Sequence, residues 1–254
     1  MNINFTFEYI IMGIIIFILG CFVGALINGI IDRATEEGLS FKETSRCEGC
    51  NQPLSFKESF PMVSWILMRG KCRHCGRKLP LRYLLVEIFG GISAIWMTYH
   101  YRMGWLSITA FAIVSILTAI SVIDWRKKLI PNELVIALLI PVIITRFLYP
   151  DPDLMSQFMG AAIGAVPMLF LALTFGAFGM GDVKLIAVGG LLLGWKGTLL
   201  ALCIAILTGG IAGVIKLIKK TGEMEMAFGP YLCLGIFTAM LYGSELIEVY
   251  LNLL

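Results

Sequence analysis

The chain has 254 residues, 58% of them hydrophobic and only 15% charged, against about 25% charged in an ordinary soluble domain. Its mean hydropathy is +0.87, and its apolar residues fall in runs of about twenty, long enough to cross a hydrocarbon core of about 30 Å as helices, so a soluble globular protein is excluded. The net charge of +3 gives no support to nucleic-acid binding; where the charges sit is more informative than their sum.

Apolar length and interrupting charges predict helices near Tyr9–Ile31, Tyr83–Tyr101, Trp105–Ile123, Leu134–Tyr149, Gln157–Phe178, Leu185–Trp195, Thr198–Leu217 and Tyr231–Leu253. The expected fold class is therefore an all-α polytopic membrane protein with about eight crossings. The sixth segment is short for a full span, which implies that it begins below the membrane surface or packs inside the bundle. The first is a poor cleavable signal peptide, since Glu8 is the only charge ahead of it and a basic n-region is missing.

The basic residues fix an expected orientation. Ten lie in Arg33–Arg82, and Arg126, Lys127, Lys128, Lys184, Lys216, Lys219 and Lys220 fall on the same predicted side. Arg102, Arg146 and Lys196 fall on the other. Seventeen against three places the first long loop in the cytosol and both termini outside it.

Three regions follow: a first transmembrane helix (1–31), a polar cytosolic domain (32–82) and a transmembrane core (83–254). The polar segment is too long for a simple connector and too short for a good hydrophobic core, so a staple is expected. Cys47-Glu48-Gly49-Cys50 and Cys72-Arg73-His74-Cys75 are two C-x-x-C pairs with 21 residues between them. Each knuckle can turn two thiolates toward one ion, and the pair makes a tetrahedral four-cysteine zinc site in a small zinc-ribbon-like domain. A cytosolic setting disfavours disulfides. The alternative is two redox-active or plain thiol pairs. His74 reads as a solvated knuckle residue, and Cys21, Cys203 and Cys233 as packing residues in apolar helices.

Most of the seventeen carboxylates lie in loops, where solvated surface charge is the ordinary reading. Asp124 and Asp182 differ, because each interrupts apolar sequence at the same predicted cytosolic depth, where an ionisable group is costly and a candidate for function. Gly160/Gly164 and Gly209/Gly213 are spaced for close helix packing. Gly179 and Gly181 are two apart and cannot share a helix face; they are expected to make a non-helical backbone beside Asp182 that leaves room for an extended peptide. Two carboxyls in a poorly solvated site repel as anions, so one keeps a proton and the pair can position a water, one member as base and the other as acid. Such a dyad is aspartic-protease chemistry. A proton-coupled transporter with a zinc-ribbon regulatory domain also accounts for paired intramembrane acids, although no inverted repeat of discontinuous helices is visible. A zinc-ribbon docking protein accounts for the cysteines and leaves the aspartates unexplained.

Nearly the whole chain resembles the type IV prepilin peptidases, or leader peptidase/N-methyltransferases, membrane aspartic proteases of the G-x-G-D kind. The likeness rests on stretches of sequence that occur in the family's order. Gly20 to Arg33 is similar to the family's first helix and its exit. Cys47 to Cys50, Ser64-Trp65, Gly70 to Cys75, Leu81-Arg82-Tyr83 and Val86-Glu87 are similar to its cysteine-bearing domain and next helix. Asp124 with Leu129-Ile130-Pro131-Asn132, then Gly179-Met180-Gly181-Asp182-Val183-Lys184-Leu185, and finally Phe228-Gly229-Pro230-Tyr231 complete the set. Many members carry a third glycine where Met180 stands.

The resemblance implies cleavage of prepilins or pseudopilins after a glycine, between a basic leader and a hydrophobic helix. It places the protein in a bacterial inner membrane with the site facing the cytosol. It also implies methylation of the new α-amine with S-adenosylmethionine as donor, an activity associated with the cysteine-bearing domain; peptidase activity alone is the alternative. The catalytic residues are then Asp124 and Asp182. Gly179, Gly181, Lys184, Asn132 and Glu87 are candidate supporting groups. Lys184 reads equally as a snorkelling interfacial lysine and Asn132 as a turn residue before Glu133. Glu87, just inside the second helix, is a candidate polar contact, ahead of Glu43 and Glu58. A methyl-donor pocket cannot be located from a glycine-rich motif, since the sequence has none.

Overall fold

A computed structural model of the chain describes residues 3–36, 50, 71, 74–76, 80–176, 178–219 and 226–253. Every element among them is an α-helix: α1 Ile3–Glu36, α2 Arg82–His100, α3 Trp105–Lys127, α4 Asn132–Leu148, α5 Leu154–Phe175, α6 Met180–Ile218 and α7 Gly229–Leu253. Five of them, α1, α3, α5, α6 and α7, are long and apolar enough to cross a membrane. The outward faces of the helices are apolar, the reverse of a soluble helix: Ile10, Ile14, Ile18 and Leu26 of α1 and Ile136, Ile140 and Phe147 of α4 are all exposed.

The chain divides into two compact units, Met1–Phe111 and Ala112–Leu254. In the first, α1 and α2 run antiparallel at glycine contacts. A Cβ on Gly20 would stand 2.5 Å from the Gly90 carbonyl oxygen, and one on Gly24 would stand 2.7 Å from the Glu87 Cα. Helices approach this closely only where both surfaces are small. Toward the polar end, Asn28 reaches Tyr83 and Asp32 reaches Arg82. α1 runs to Glu36, past the expected limit at Ile31, and takes Asp32 and Arg33 out of the polar loop. Burial of Asp32 against Arg82 and Tyr83 holds these last turns in the helix.

In the second unit, α6 is 39 residues long but contains a non-helical residue, Gly194, at φ 68° and ψ 178°. The chain reverses there. Phe178, just before α6, packs on Phe228 and Gly189 packs on Ile236, so the first leg runs parallel to α7. Gly209 instead lies against Tyr231 and Ala201 against Gly235, so the second leg runs antiparallel to it. Gly164 of α5 accordingly touches both Ile186 and Thr198, while Gly160 and Gly194 meet backbone to backbone. Only glycine adopts that φ without strain, and Pro152 and Ser156 crowd the same spot. The eight expected apolar segments correspond to seven helices: the sixth and seventh are joined through Gly194, and the fifth ends at Phe175, short of the expected Phe178, because Gly176 caps it in the left-handed region.

The first leg, residues 180–193, is about 21 Å long at 1.5 Å per residue. It is shorter than a bilayer core, and Asp182, Val183, Leu185, Ile186, Val188, Gly189 and Gly190 are buried. This is the segment expected to pack inside the bundle. Cys21 and Cys233 are buried as expected, whereas Cys203 is exposed, because it lies on the outward face of the second leg. Of the expected zinc ligands, Cys47 and Cys72 lie outside the described residues, as does most of the segment expected to form a zinc-ribbon-like domain. Cys50 is half-buried, and Cys75 is exposed together with His74. Among the described residues there is no cluster of metal-binding side chains.

Candidate active site

The second unit gathers three separate stretches of sequence at one end. α3 stops just past Asp124 because Lys128 turns into the left-handed region, φ 54°; its N–H caps the Asp124 carbonyl at 2.8 Å, a helix stop usually made by glycine. Leu129-Ile130-Pro131 then leads into α4. Asp124 is 4% exposed, and its Oδ2 accepts a hydrogen bond from the Gly229 N–H at 2.9 Å. That amide belongs to the first turn of α7, where backbone N–H groups lack helical partners and the dipole favours an anion.

Asp182 is held by the same device on another helix. Gly179 is the extended residue before α6, at φ −73° and ψ 149°, and its N–H donates to Asp182 Oδ2 at 3.1 Å. Asp182 is 8% exposed, and its other oxygen, Oδ1, is buried without a hydrogen-bond partner. Both aspartates therefore stand at the same end of the second unit, and the buried Cys233 lies one turn into α7.

The glycines do something different from the expectation. Only Gly179 is non-helical; Gly181 lies in the first turn of α6. A Cβ on Gly181 would stand 2.8 Å from Ile130 Cβ, so this glycine lets the helix dock on the turn that follows Asp124. A Cβ on Gly179 would come only to 3.4 Å from Asp182 Oδ2, an ordinary contact. Lys184 is exposed, and its Nζ donates to Asn132 Oδ1 at 2.8 Å, a second tie between the same two segments. Glu87 lies in the first unit, buried against Gly24 of α1.

Two features were not legible in the residue pattern. One is the pairing of Gly229 with Asp124, across 105 positions of sequence. Its signal is a Gly-Pro pair opening an apolar helix, but the pair does not name a partner. A Cβ on Gly229 would stand 2.7 Å from Asp124 Oδ2, so the site requires glycine there. The other is a closed polar network in the first unit. Arg82 and the Tyr83 hydroxyl both donate to Asp32, and Asn28 Nδ2 donates to the Tyr83 carbonyl at 3.0 Å. Opposite charges at the two ends of the polar segment are its signal in the sequence.

Comparison with known proteins gives concordant results. Residues 18–101 match the family described as Bacterial Peptidase A24 N-terminal domain, and residues 111–214 match the Type IV leader peptidase family. The chain is 31% identical over 221 residues to a prepilin leader peptidase/N-methyltransferase of Stutzerimonas stutzeri, covering 84% of this chain and 76% of that one. It is 33% identical over 212 residues to the protein of that name from Xanthomonas campestris pv. campestris, covering 78% and 72%. It is 29% identical over 216 residues to that of Aeromonas hydrophila, covering 82% and 74%. No solved structure matches.

Proposed function

Because the chain belongs to the prepilin leader peptidase/N-methyltransferase family, we propose that it cleaves the leader from a type IV prepilin or pseudopilin with Asp124 and Asp182, and methylates the α-amine so exposed. The observation that carries this reading is the buried pair itself: two carboxyls at one end of the second unit, each bonded by a backbone amide at a helix start, with Asp182 Oδ1 left open. Membership in a family of peptidases displaces the transporter reading.

Aspartic chemistry needs one carboxyl ionised and the other protonated. A water between them gives its proton to the ionised member as its oxygen attacks the scissile carbonyl. The protonated member then gives its proton to the leaving amine as the C–N bond breaks. Which aspartate begins as base belongs to the pair and not to either residue. The Gly229 and Gly179 amides hold one oxygen of each carboxyl, which leaves the remaining oxygens for water and substrate. Gly181 and Lys184 tie the Asp182 helix to the turn beyond Asp124 and so set the carboxyl separation.

The distribution of basic residues supports a cytosolic site. Arg126, Lys127, Lys128, Lys184, Lys216 and Lys219 belong to the aspartate end of the second unit, while Lys196 follows the reversal at Gly194. With the two legs of α6 counted separately, the reading is an eight-crossing inner-membrane protein. The substrate's apolar helix would lie in the bilayer with its leader at this face.

For the second activity, S-adenosylmethionine when bound supplies a methyl group on a sulfonium. A free α-amine has a pKa near 7.7–8.0, so the chain need only orient it. The buried, unpartnered Asn28 Oδ1 and Arg82 Nη1 of the first unit fit a polar cofactor. We assign Cys47, Cys50, Cys72 and Cys75 to a structural zinc, since four thiolates leave no open position for substrate. The decisive experiment uses purified full-length protein in detergent with a synthetic prepilin: mass spectrometry of the products should show a cut at the leader boundary and, with S-adenosylmethionine, a methylated new N-terminus. An uncut prepilin would refute the reading.

A further inference from the structure

We propose that the network of Asn28, Asp32, Arg82 and Tyr83, where α1 meets α2, binds the α-amino-acid end of the methyl donor; this rests on the methylation reading above. Asn28 and Asp32 are one turn apart on the face of α1 turned to α2, at 2% and 6% exposure. Arg82 and Tyr83 open α2. Arg82 Nη2 pairs with Asp32 Oδ1, the Tyr83 hydroxyl donates to Asp32 Oδ2 at 2.6 Å, and Asn28 Nδ2 donates to the Tyr83 carbonyl. The guanidinium also stacks over the Tyr83 ring, 4.6 Å from its centroid. Four side chains are thereby fixed, and the charges of Asp32 and Arg82 cancel.

Two atoms of this network are left over: Asn28 Oδ1, an acceptor, and Arg82 Nη1, a donor, both buried and without a hydrogen-bond partner. Buried polar groups are otherwise satisfied almost without exception, and leaving one unpaired is costly unless a ligand completes it. One acceptor and one charged donor on rigid supports match an ammonium and a carboxylate held on one carbon, which is the α-amino-acid group. Guanidinium is the usual partner for such a carboxylate. The position fits the role, since α1 enters and α2 leaves the cysteine-bearing segment at this point.

The test compares two nucleosides that differ in this end. S-Adenosylhomocysteine keeps the amino-acid group and 5′-methylthioadenosine lacks it. By equilibrium dialysis with the full-length protein in detergent, the first should bind at least about tenfold more tightly, as expected of a site that hydrogen-bonds what the analogue lacks. Asn28→Ala and Arg82→Lys should each abolish most of that preference while leaving 5′-methylthioadenosine binding as in the unaltered chain, measured below the melting temperature of each variant, since Asn28→Ala also removes a buried bond to the Tyr83 carbonyl. Arg82→Lys keeps a charge for Asp32 and so guards against simple unfolding. A preference unchanged in both variants, or an equal loss of both nucleosides, overturns the assignment. Phosphatidylserine carries the same amino-acid group; if it binds competitively at this network and the nucleosides do not depend on it, the site belongs to lipid and the proposal fails. If the unaltered protein methylates cleaved prepilin while the variants keep their preference, only this site is wrong. If it neither binds the nucleosides nor methylates, the methylation reading itself is wrong.

Discussion

The backbone N–H of Gly229, at the start of α7, donates to the carboxylate of Asp124, at the end of α3, at 2.9 Å. A side chain on residue 229 would meet that carboxylate at 2.7 Å. Gly229→Ala should therefore displace Asp124 and lower kcat for prepilin cleavage by about 100-fold, the scale of a 1 Å misplacement, with a smaller change in KM. Steady-state kinetics in detergent, with the melting temperature as control, checks this; an unaltered kcat would show that the amide does not position the acid.

Asp124→Asn and Asp182→Asn preserve shape and remove the exchangeable charge. Each should reduce cleavage by at least about 10³-fold, as for residues that act as a unit, and the double variant should be little worse than either single one. Elution from a sizing column should be unchanged. Substantial cleavage by either variant would sink the dyad.

The two glycines before Asp182 should not be equivalent. Gly181→Ala drives a methyl into Ile130, which is 8% exposed and has nowhere to go, an overpacking cost of about 1–3 kcal/mol. Ile130→Ala in the same chain should restore most of the lost melting temperature and activity. Gly179→Ala makes only an ordinary contact, so it should be tolerated better on both measures.

Lys184 and Asn132 form an exposed hydrogen bond between α6 and α4, and exposed pairs of this kind contribute only about 0–1 kcal/mol. Lys184→Met and Asn132→Ala should leave the melting temperature almost unmoved. If the bond sets the aspartate separation, each should slow cleavage several-fold, and the double variant should match the singles in a kinetic cycle. Strict additivity would reduce Lys184 to a snorkelling charge.

Elemental analysis should find about one zinc per chain, the stoichiometry of a four-cysteine structural site. Replacing Cys47 and Cys72 with serine should abolish zinc and reduce methylation before cleavage, because the peptidase pair belongs to the other unit. A zinc-free protein that methylates normally would refute a required site.

What the sequence alone settled was whatever local chemistry dictates. Runs of apolar residues must become helices in a bilayer, since every backbone polar group has to be satisfied within its own segment. The distribution of Lys and Arg predicts a side, and a carboxyl such as Asp124 or Asp182 inside apolar sequence is a candidate for function by its cost. The short sixth segment was legible as well, because its length falls below a bilayer core. Left to the tertiary structure were the relations between distant segments. The reversal of α6 at Gly194 depends on a positive φ and on the packing of α5 and α7, neither of which a hydropathy profile contains. Gly181 looked like a loop-maker because its neighbour Gly179 is one; its helical role is fixed by Ile130, fifty-one positions away. Gly229 carries no chemistry in its side chain, so nothing but the fold could place its amide on Asp124. The same holds for Asn28 and Arg82, whose unpaired atoms are visible only once α1 and α2 have closed around them and excluded water.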